Sequence, residues 1–304
     1  MKVLIVARYK ENGFAPFVTE QVAALEGVGV ECRMFPVKSN SYLRYYPELK
    51  RAIRSFRPDI VHAHYGFCGL LANLQRRVPV VTTYHGSDIN NPKVRRLSKM
   101  AILLSAYNLF VTQKNIDLAR PKRNFALIPC GINLADFPVV EKSEARRKMG
   151  LAKDVKYVLF AGALDNHIKN ASLAQAAVSQ LPGVQLLELK GYSRSQVALL
   201  MQAVDAMIMT SITEGSPQVV KEAMACGCPI VSVDVGDVKE RVTGVEGCFV
   251  SNTYKPEELA SFLDKALSFG MRTDGRKAII RDDLTGEAVA SRLKEVYNQV
   301  SNRK

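Results

Sequence analysis

Short, largely apolar runs recur along the chain. They fall at residues 2–7, 30–36, 59–65, 80–85, 108–112 and 125–129, then at 157–162, 185–190, 206–210 and 229–234. Their length suits strands, and their apolar character suits strands buried inside a sheet. Between them lie stretches with helical spacing at 16–25, 42–56, 93–104, 141–149, 216–226, 257–269 and 287–300. Gly27 and Gly227 stand where the first and fifth of these helices should stop. Strand alternating with helix predicts α/β architecture with doubly wound parallel sheets, whose ligands bind outside the carboxyl ends of the strands. A chain of 304 residues suits one large domain or two of ordinary size, and two are expected. The break is placed near Gly150, giving domains 1–150 and 151–285 followed by a helical segment 286–304.

The stretch 206–234 concentrates the candidate chemistry. It reads AMIMTSITEGSPQVVKEAMACGCPIVSVD, a strand, a polar loop, a helix and a second strand. Ser216 is the expected N-cap and Pro217 the first helical residue. The free amides and positive dipole end of that helix then face the crevice, where an anion such as a diphosphate fits. Glu214 precedes the helix and Glu222 lies on it, eight positions later. Carboxylates are poor phosphate ligands but good acceptors for sugar hydroxyls. Together these features suggest a nucleotide-sugar site.

Glu-x7-Glu headed by Glu-Gly-Ser-Pro resembles the donor site of the family-four retaining glycosyltransferases with the GT-B fold. That resemblance implies two Rossmann-like doubly wound domains facing an interdomain cleft. It implies that Glu214 bonds hydroxyls of the donor sugar and Glu222 those of the ribose. Gly215, Ser216, Pro217, Gln218 and Val219 would meet phosphates and sugar. The family pattern Gly-Arg-Leu followed by Lys is matched by Gly162, Leu164 and Lys169, but Ala163 stands where arginine is expected. Lys169 would carry the diphosphate, with Arg194 or a first-domain arginine as candidate substitutes for the missing cation. The tetrapeptide His85-Gly86-Ser87-Asp88 also resembles the family, placing His85 by the donor sugar. The loop holding Asn12-Gly13 would reach the cleft, and Tyr192 would lie beside the base. Gly236 and Glu240 echo a Gly-x-x-x-Glu pattern. Cys130-Gly131-Ile132-Asn133, with Phe137, resembles the family connection between domains, and the last helix would cross back to the first domain. His62 and His64 alternate with apolar neighbours and read as structural. Within the family, the second half looks most like bacterial enzymes building cell-surface polysaccharides of the teichuronic-acid type.

The implied activity is metal-independent, retaining transfer of a hexose from a UDP- or GDP-linked donor to a glycan or lipid-linked acceptor. No Asp-x-Asp triplet occurs. No cofactor is expected beyond the nucleotide-sugar substrate. An epimerase of the same fold is the alternative, and a nucleic-acid binder a weaker one.

Charge refines this picture. Residues 1–150 hold 24 Lys and Arg against 11 Asp and Glu, and residues 151–304 hold 18 of each, so the whole net charge of +13 lies in the first half. A basic first half suits an anionic membrane surface or a phosphate-linked acceptor. Its aromatics do not interleave with basic clusters as nucleic-acid stacking platforms would, so no nucleic acid is expected. The 93–104 stretch, KVRRLSKMAILL, offers basic residues beside Val94, Leu97, Met100 and Leu104. It reads either as a core-packed helix with a solvated side or as a helix lying on a membrane. Six scattered cysteines without zinc spacing read as reduced thiols, mostly buried. No long apolar run occurs, so no membrane span is expected, and the reduced thiols suggest a cytoplasmic protein, at most peripheral at the inner membrane face.

Overall fold

The computed structural model describes residues 1–11, 13–39 and 41–302. It divides into two compact units, Met1–Ile132 with Leu284–Lys304, and Asn133–Asp283. The observed division therefore falls at 132/133 rather than near 150. The physical reason lies in the helix Lys142–Met149, which reads as a charged surface helix but is anchored within the second unit. Arg146 is buried there, its guanidinium donating to the Ala203 carbonyl at 2.9 Å and to Asp205 Oδ2 at 2.8 Å.

The first unit begins with β1 (Lys2–Lys10), β2 (Gly13–Phe14), α1 (Pro16–Gly27), β3 (Glu31–Val37) and α2 (Tyr46–Phe56). There follow β4 (Ile60–His64), α3 (Gly66–Asn73), β5 (Val80–Tyr84), α4 (Ser87–Asn90) and α5 (Pro92–Leu104). β6 (Tyr107–Phe110), α6 (Gln113–Ala119) and β7 (Phe125–Leu127) close it. β1 pairs in parallel with both β3 and β4, and the sheet continues through β5, β6 and β7. β1 runs three residues beyond its expected end and pairs antiparallel with β2, so Gly13 sits in a hairpin with φ +101°. Asn12 lies outside the described residues. The expected helix 42–56 is a short 3₁₀ turn, Tyr42–Tyr45, followed by α2. Pro47 sits in the first turn of α2, where its missing N–H costs nothing. The carboxyl-terminal helix Gly286–Ser301 belongs to this unit. Val289, Ala290, Leu293, Val296, Tyr297 and Val300 pack into a core with Val3, Ile5, Val18, Val22 and Leu25.

α5 packs differently from the core-packed expectation. Its buried residues are the small Ser98 and Ala101. They sit against Gly66 and Gly69 of α3, so close that a Cβ at Gly66 would lie 2.2 Å from Ser98 Oγ. Close approach through small side chains turns the large ones outward. Leu97, Met100, Leu103 and Leu104 are exposed, Leu103 at 75%.

The second unit comprises α7 (Lys142–Met149), β8 (Lys156–Phe160), α8 (Ala171–Val178), β9 (Val184–Glu188), α9 (Arg194–Ala203) and β10 (Ala206–Met209). α10 (Gln218–Ala225), β11 (Ile230–Val233), α11 (Val238–Val242), β12 (Phe249–Ser251), α12 (Pro256–Phe269) and α13 (Gly275–Arg281) complete it. The sheet order is β12-β11-β10-β8-β9, all parallel. Its central strands β8, β10 and β11 are almost wholly buried on both faces, as their apolar runs require. All six cysteines are free thiols, four of them buried. No helix among the described residues is long and apolar enough to cross a membrane.

Candidate functional site

In the second unit, the loops after β8 and β10 meet at the carboxyl end of the sheet. The chain leaves β8 at Gly162 and makes a 3₁₀ turn at His167–Lys169, then Asn170 takes left-handed φ of +54°. Thr210, just past β10, donates its hydroxyl to the carbonyls of Lys169 and Asn170, both at 2.9 Å. The Ile212 amide donates to the Ile168 carbonyl at 2.9 Å. These bonds pin the Lys169 turn to the loop carrying Glu214. Lys169 Nζ meets Glu214 Oε1 at 2.7 Å, with both side chains largely shielded from water. Gly162 makes room for this, since a Cβ there would lie 2.8 Å from Lys169 Cγ.

The start of α10 differs from expectation. The helix begins at Gln218, and Pro217, with extended ψ of 120°, occupies the N-cap position. Ser216 does not cap. Its hydroxyl is drawn instead to the buried Asp237 Oδ2 at 2.8 Å. The helix starts one residue later than expected, so the N-cap falls on Pro217, which has no side-chain oxygen to accept from the first amides. Gly215 and Ser216 are held from below by Gly236, which has φ +62° and faces the Gly215 carbonyl so closely that a Cβ would lie 2.1 Å from it. Val219, in the first turn, is partly exposed.

Glu222 is buried at 9% exposure and ion-paired with Arg194. Arg194 also lies 4.7 Å over the Phe137 ring. Arg194 thus pairs with Glu222 and stacks on Phe137. Tyr192 follows Gly191, whose φ is +80°, and is 39% exposed. Glu240 lies on the exposed side of α11.

His85 closes β5 in the first unit and is partly buried. Asp88 organises its turn, Oδ1 accepting from the amides of His85 at 3.0 Å and Gly86 at 3.1 Å, and Oδ2 from Gly66 at 3.0 Å. Burial raises the Asp88 carboxyl to about 6, against the lowering effect of those amides. His62 and His64 are fully buried, as their structural reading requires. His62 bonds Tyr297 at 2.6 Å and Thr83 at 2.7 Å. Burial lowers the His64 imidazole to about 3 and holds His62 well below its ordinary value. Gln21 Nε2 faces His64 Nε2 at 3.5 Å, His64 Nδ1 meets His85 Nε2 at 2.9 Å, and His85 Nδ1 meets Cys130 Sγ at 3.7 Å. An amide nitrogen only donates, so His64 carries its proton on Nδ1 and gives it to His85 Nε2. His85 then carries its own on Nδ1, toward the cysteine sulfur.

Gln21, Asp88, Cys130, Thr210, Lys221, Asp237 and Arg241 are the partners that sequence reasoning did not single out for the site. Gln21 left no trace; Asp88 stood in His85-Gly86-Ser87-Asp88, Cys130 in Cys130-Gly131-Ile132-Asn133, Thr210 and Lys221 in the 206–234 stretch, and Asp237 and Arg241 beside Gly236 and Glu240, none with a role assigned.

Two parallel α/β units with carboxyl-end loops of this kind are the GT-B architecture. Residues 3–136 match the family described as Glycosyltransferase Family 4, and residues 144–268 the family described as Glycosyl transferases group 1. The chain belongs to the glycosyltransferases assembled from these two domains. It is 28% identical over 215 residues to the TuaC protein of Bacillus subtilis (strain 168), whose name assigns it to teichuronic acid biosynthesis as a glycosyltransferase. That match covers 61% of this chain and 55% of TuaC. It is 28% identical over 261 residues to a D-inositol 3-phosphate glycosyltransferase of Mycobacterium marinum (strain ATCC BAA-535 / M), covering 69% of this chain and 55% of that protein. The chain thus spans about half the length of the curated relatives it matches. Among solved structures, a sucrose-phosphate synthase from Thermosynechococcus elongatus superposes with a TM-score of 0.85 at 16% identity, over 100% of both chains. Anabaena HepE in complex with UDP-glucose gives 0.73 at 17% identity, over 100% of this chain and 99% of that one.

Proposed function

We propose that the protein transfers a sugar, with retention at the anomeric carbon and without a metal, from a UDP- or GDP-linked donor to a glycan or lipid-linked acceptor in surface polysaccharide synthesis. The observation that carries this reading is the Lys169–Glu214 pair beside the start of α10. The bond to be broken joins sugar to phosphate, so the main task is stabilising a departing diphosphate. Lys169 and the first amides of α10 supply positive charge for it. Glu214 accepts from the sugar hydroxyls and, until the donor arrives, keeps Lys169 in place. Glu222, neutralised by Arg194, accepts from the ribose, and Tyr192 stacks on the base. His85, bonded to His64 and held in its turn by Asp88, is with Gly13 the first unit's candidate for the donor sugar. The acceptor hydroxyl attacks on the face the diphosphate leaves. The HepE complex with UDP-glucose and the name of TuaC favour a UDP-linked donor and a surface-polysaccharide acceptor.

The test is a panel of UDP- and GDP-sugars. The true donor raises the unfolding temperature, and Glu214→Ala abolishes transfer to the acceptor while the variant stays folded. Transfer undiminished in Glu214→Ala would sink the assignment. Sugar isomerised without any acceptor would mark an epimerase instead.

α5 supports a place for the enzyme at the cytoplasmic face of an anionic membrane. Lys93, Arg96 and Lys99 are exposed on the same helix as Leu97, Met100, Leu103 and Leu104. Exposed leucines interleaved with cations fit headgroups above and acyl chains below.

A further inference from the structure

A cavity opens at the edge of the second sheet opposite the donor loop. Val204 and Asp205 lead into β10 and Pro229 leads into β11, so this edge carries the amino ends of the strands. With Val139, Val140 and Leu267 they line a space of about 270 Å³. Every residue around it belongs to the second unit. Pockets for drug-sized ligands hold roughly 300–1,000 Å³, so this one suits a smaller molecule. Cys226 also lines it, at the end of α10 away from Gln218.

Arg272 supplies the polar feature of the cavity. Its segment lies across the end of α10. The Thr273 amide donates to the Gly227 carbonyl at 2.9 Å, and Gly227 has φ +64°. A Cβ at Gly227 would lie 3.2 Å from Arg272 Cβ, so the two backbones meet closely there. Arg272 Nη1 donates to the Met201 carbonyl of α9 at 3.3 Å. Arg272 Nη2 is shielded from water and has no hydrogen-bond partner. Leaving such a donor unpaired costs about 1–3 kcal/mol.

The neighbouring polar groups are directed elsewhere. Asp205 accepts from Lys142 at 2.5 Å, from Arg146 at 2.8 Å and from the Tyr157 amide at 2.7 Å. The Gln202 oxygen accepts from the Val140 amide at 2.7 Å, and its nitrogen donates to the carbonyls of Pro138 and Ala198. Arg276 gives its guanidinium to the carbonyls of Phe137, Ala225 and Leu134. Glu141 lines the cavity but is exposed. A guanidinium only donates, so Arg272 Nη2 calls for an acceptor, and an anionic one bonds it most strongly.

We propose that this cavity is a second ligand site, which takes a small carboxylate with a short aliphatic body. One carboxylate oxygen accepts from Arg272 Nη2, and the aliphatic body lies against Val140, Val204, Pro229 and Leu267. A phosphate would need several donors at once, whereas the cavity offers this one among aliphatic walls. The site stands apart from the donor loop and does not rest on the sugar-transfer reading.

The test is titration of the full-length protein with acetate, hexanoate and hexanamide at constant ionic strength, followed by calorimetry and by amide NMR shifts. Hexanoate is expected to bind more tightly than acetate, which lacks the body, and than hexanamide, which lacks the charge. Its shifts are expected at Gly227, Met271, Arg272 and Thr273 and not at Ser216 or Gln218. Arg272→Met is expected to weaken hexanoate about tenfold, the loss of one charge-assisted hydrogen bond, and to leave hexanamide unchanged. A wild type that does not bind hexanoate, or binds hexanamide equally well, overturns the proposal. A folded Arg272→Met that binds hexanoate like the wild type also overturns it. Should Arg272→Met not fold, hexanoate shifts in the wild type that spare Gly227 and Thr273 are the overturning result.

Discussion

Gly162 shows how much one missing side chain decides. Lys169 reaches Glu214 only because its stem lies across that glycine. A methyl group at position 162 must push the stem aside, and the flexible lysine yields before the sheet does. Gly162→Ala is therefore expected to lower kcat by about tenfold or more, equivalent to ~1.4 kcal/mol of transition-state stabilisation, with a change of only a few degrees in Tm. A loss of stability with unimpaired kcat would contradict this. Glu214, Glu222 and Lys169 were legible in the sequence because their residue types and spacing suit the chemistry. Lys221, buried on α10 and bonded to Gln218, was not, because a lysine on an amphipathic helix normally reads as solvated. The Ser216 hydroxyl was misread for a related reason. A serine before a helix is the usual cap, and only packing shows that a carboxylate twenty-one residues later takes the bond.

Among the elements, α5 is the clearest case of a pattern that periodicity left open. Its sequence has an apolar stripe, and a stripe normally faces the core. The structure buries Ser98 and Ala101 instead and leaves four large apolar side chains in water beside the cations. The glycines of α3 caused this, and they lie some thirty residues away in the chain. The membrane proposal makes a measurable claim at this scale. The protein is expected to co-sediment with vesicles containing anionic lipid at low salt and to leave them at high salt. Leu103→Ser with Leu104→Ser is expected to reduce the bound fraction severalfold without altering Tm. Equal binding to neutral vesicles, or no binding at all, contradicts it. Strands were the most legible elements, because buried parallel strands must be short and apolar. Helices α3, α4, α6, α8, α9, α11 and α13 were not foreseen, their patterns being brief or mixed.

Across the whole molecule, the carboxyl-terminal helix is what closes the first unit. Tyr297 hydrogen-bonds His62 across 235 positions of sequence, while Arg292 and Lys294 donate to the carbonyls of Leu127 and Val28. Tyr297→Phe leaves His62 Nδ1 buried without that partner and is expected to cost about 1–3 kcal/mol in chemical denaturation. A neutral effect would show that His62 is satisfied in another way. The buried histidines also set a pH dependence. Both have folded values below the ordinary 6.5, His64 at about 3, so the unfolded chain takes up protons first as pH falls. The stability they confer is complete above ~6.5 and is lost toward ~3. Asp88, raised to about 6, works the other way, since its contribution is present below 3.8 and is lost as pH rises through about 6. Between 6.5 and 6 only the histidines act, and below that two histidines outweigh one carboxylate. The unfolding midpoint of the first unit is therefore expected to fall from pH 7 to pH 5 in calorimetry, and a flat or rising profile would contradict the assignment.

By itself, the sequence determined the strand–helix alternation, the two parallel sheets and the motif residues of the donor loop, because each depends on local spacing and residue type. The tertiary structure alone decided where the units divide, which acid pairs with which cation, and which face of α5 meets water. Those outcomes depend on contacts between residues far apart in the chain. Burial, which makes a lysine costly and an imidazole neutral, exists only after those contacts have formed.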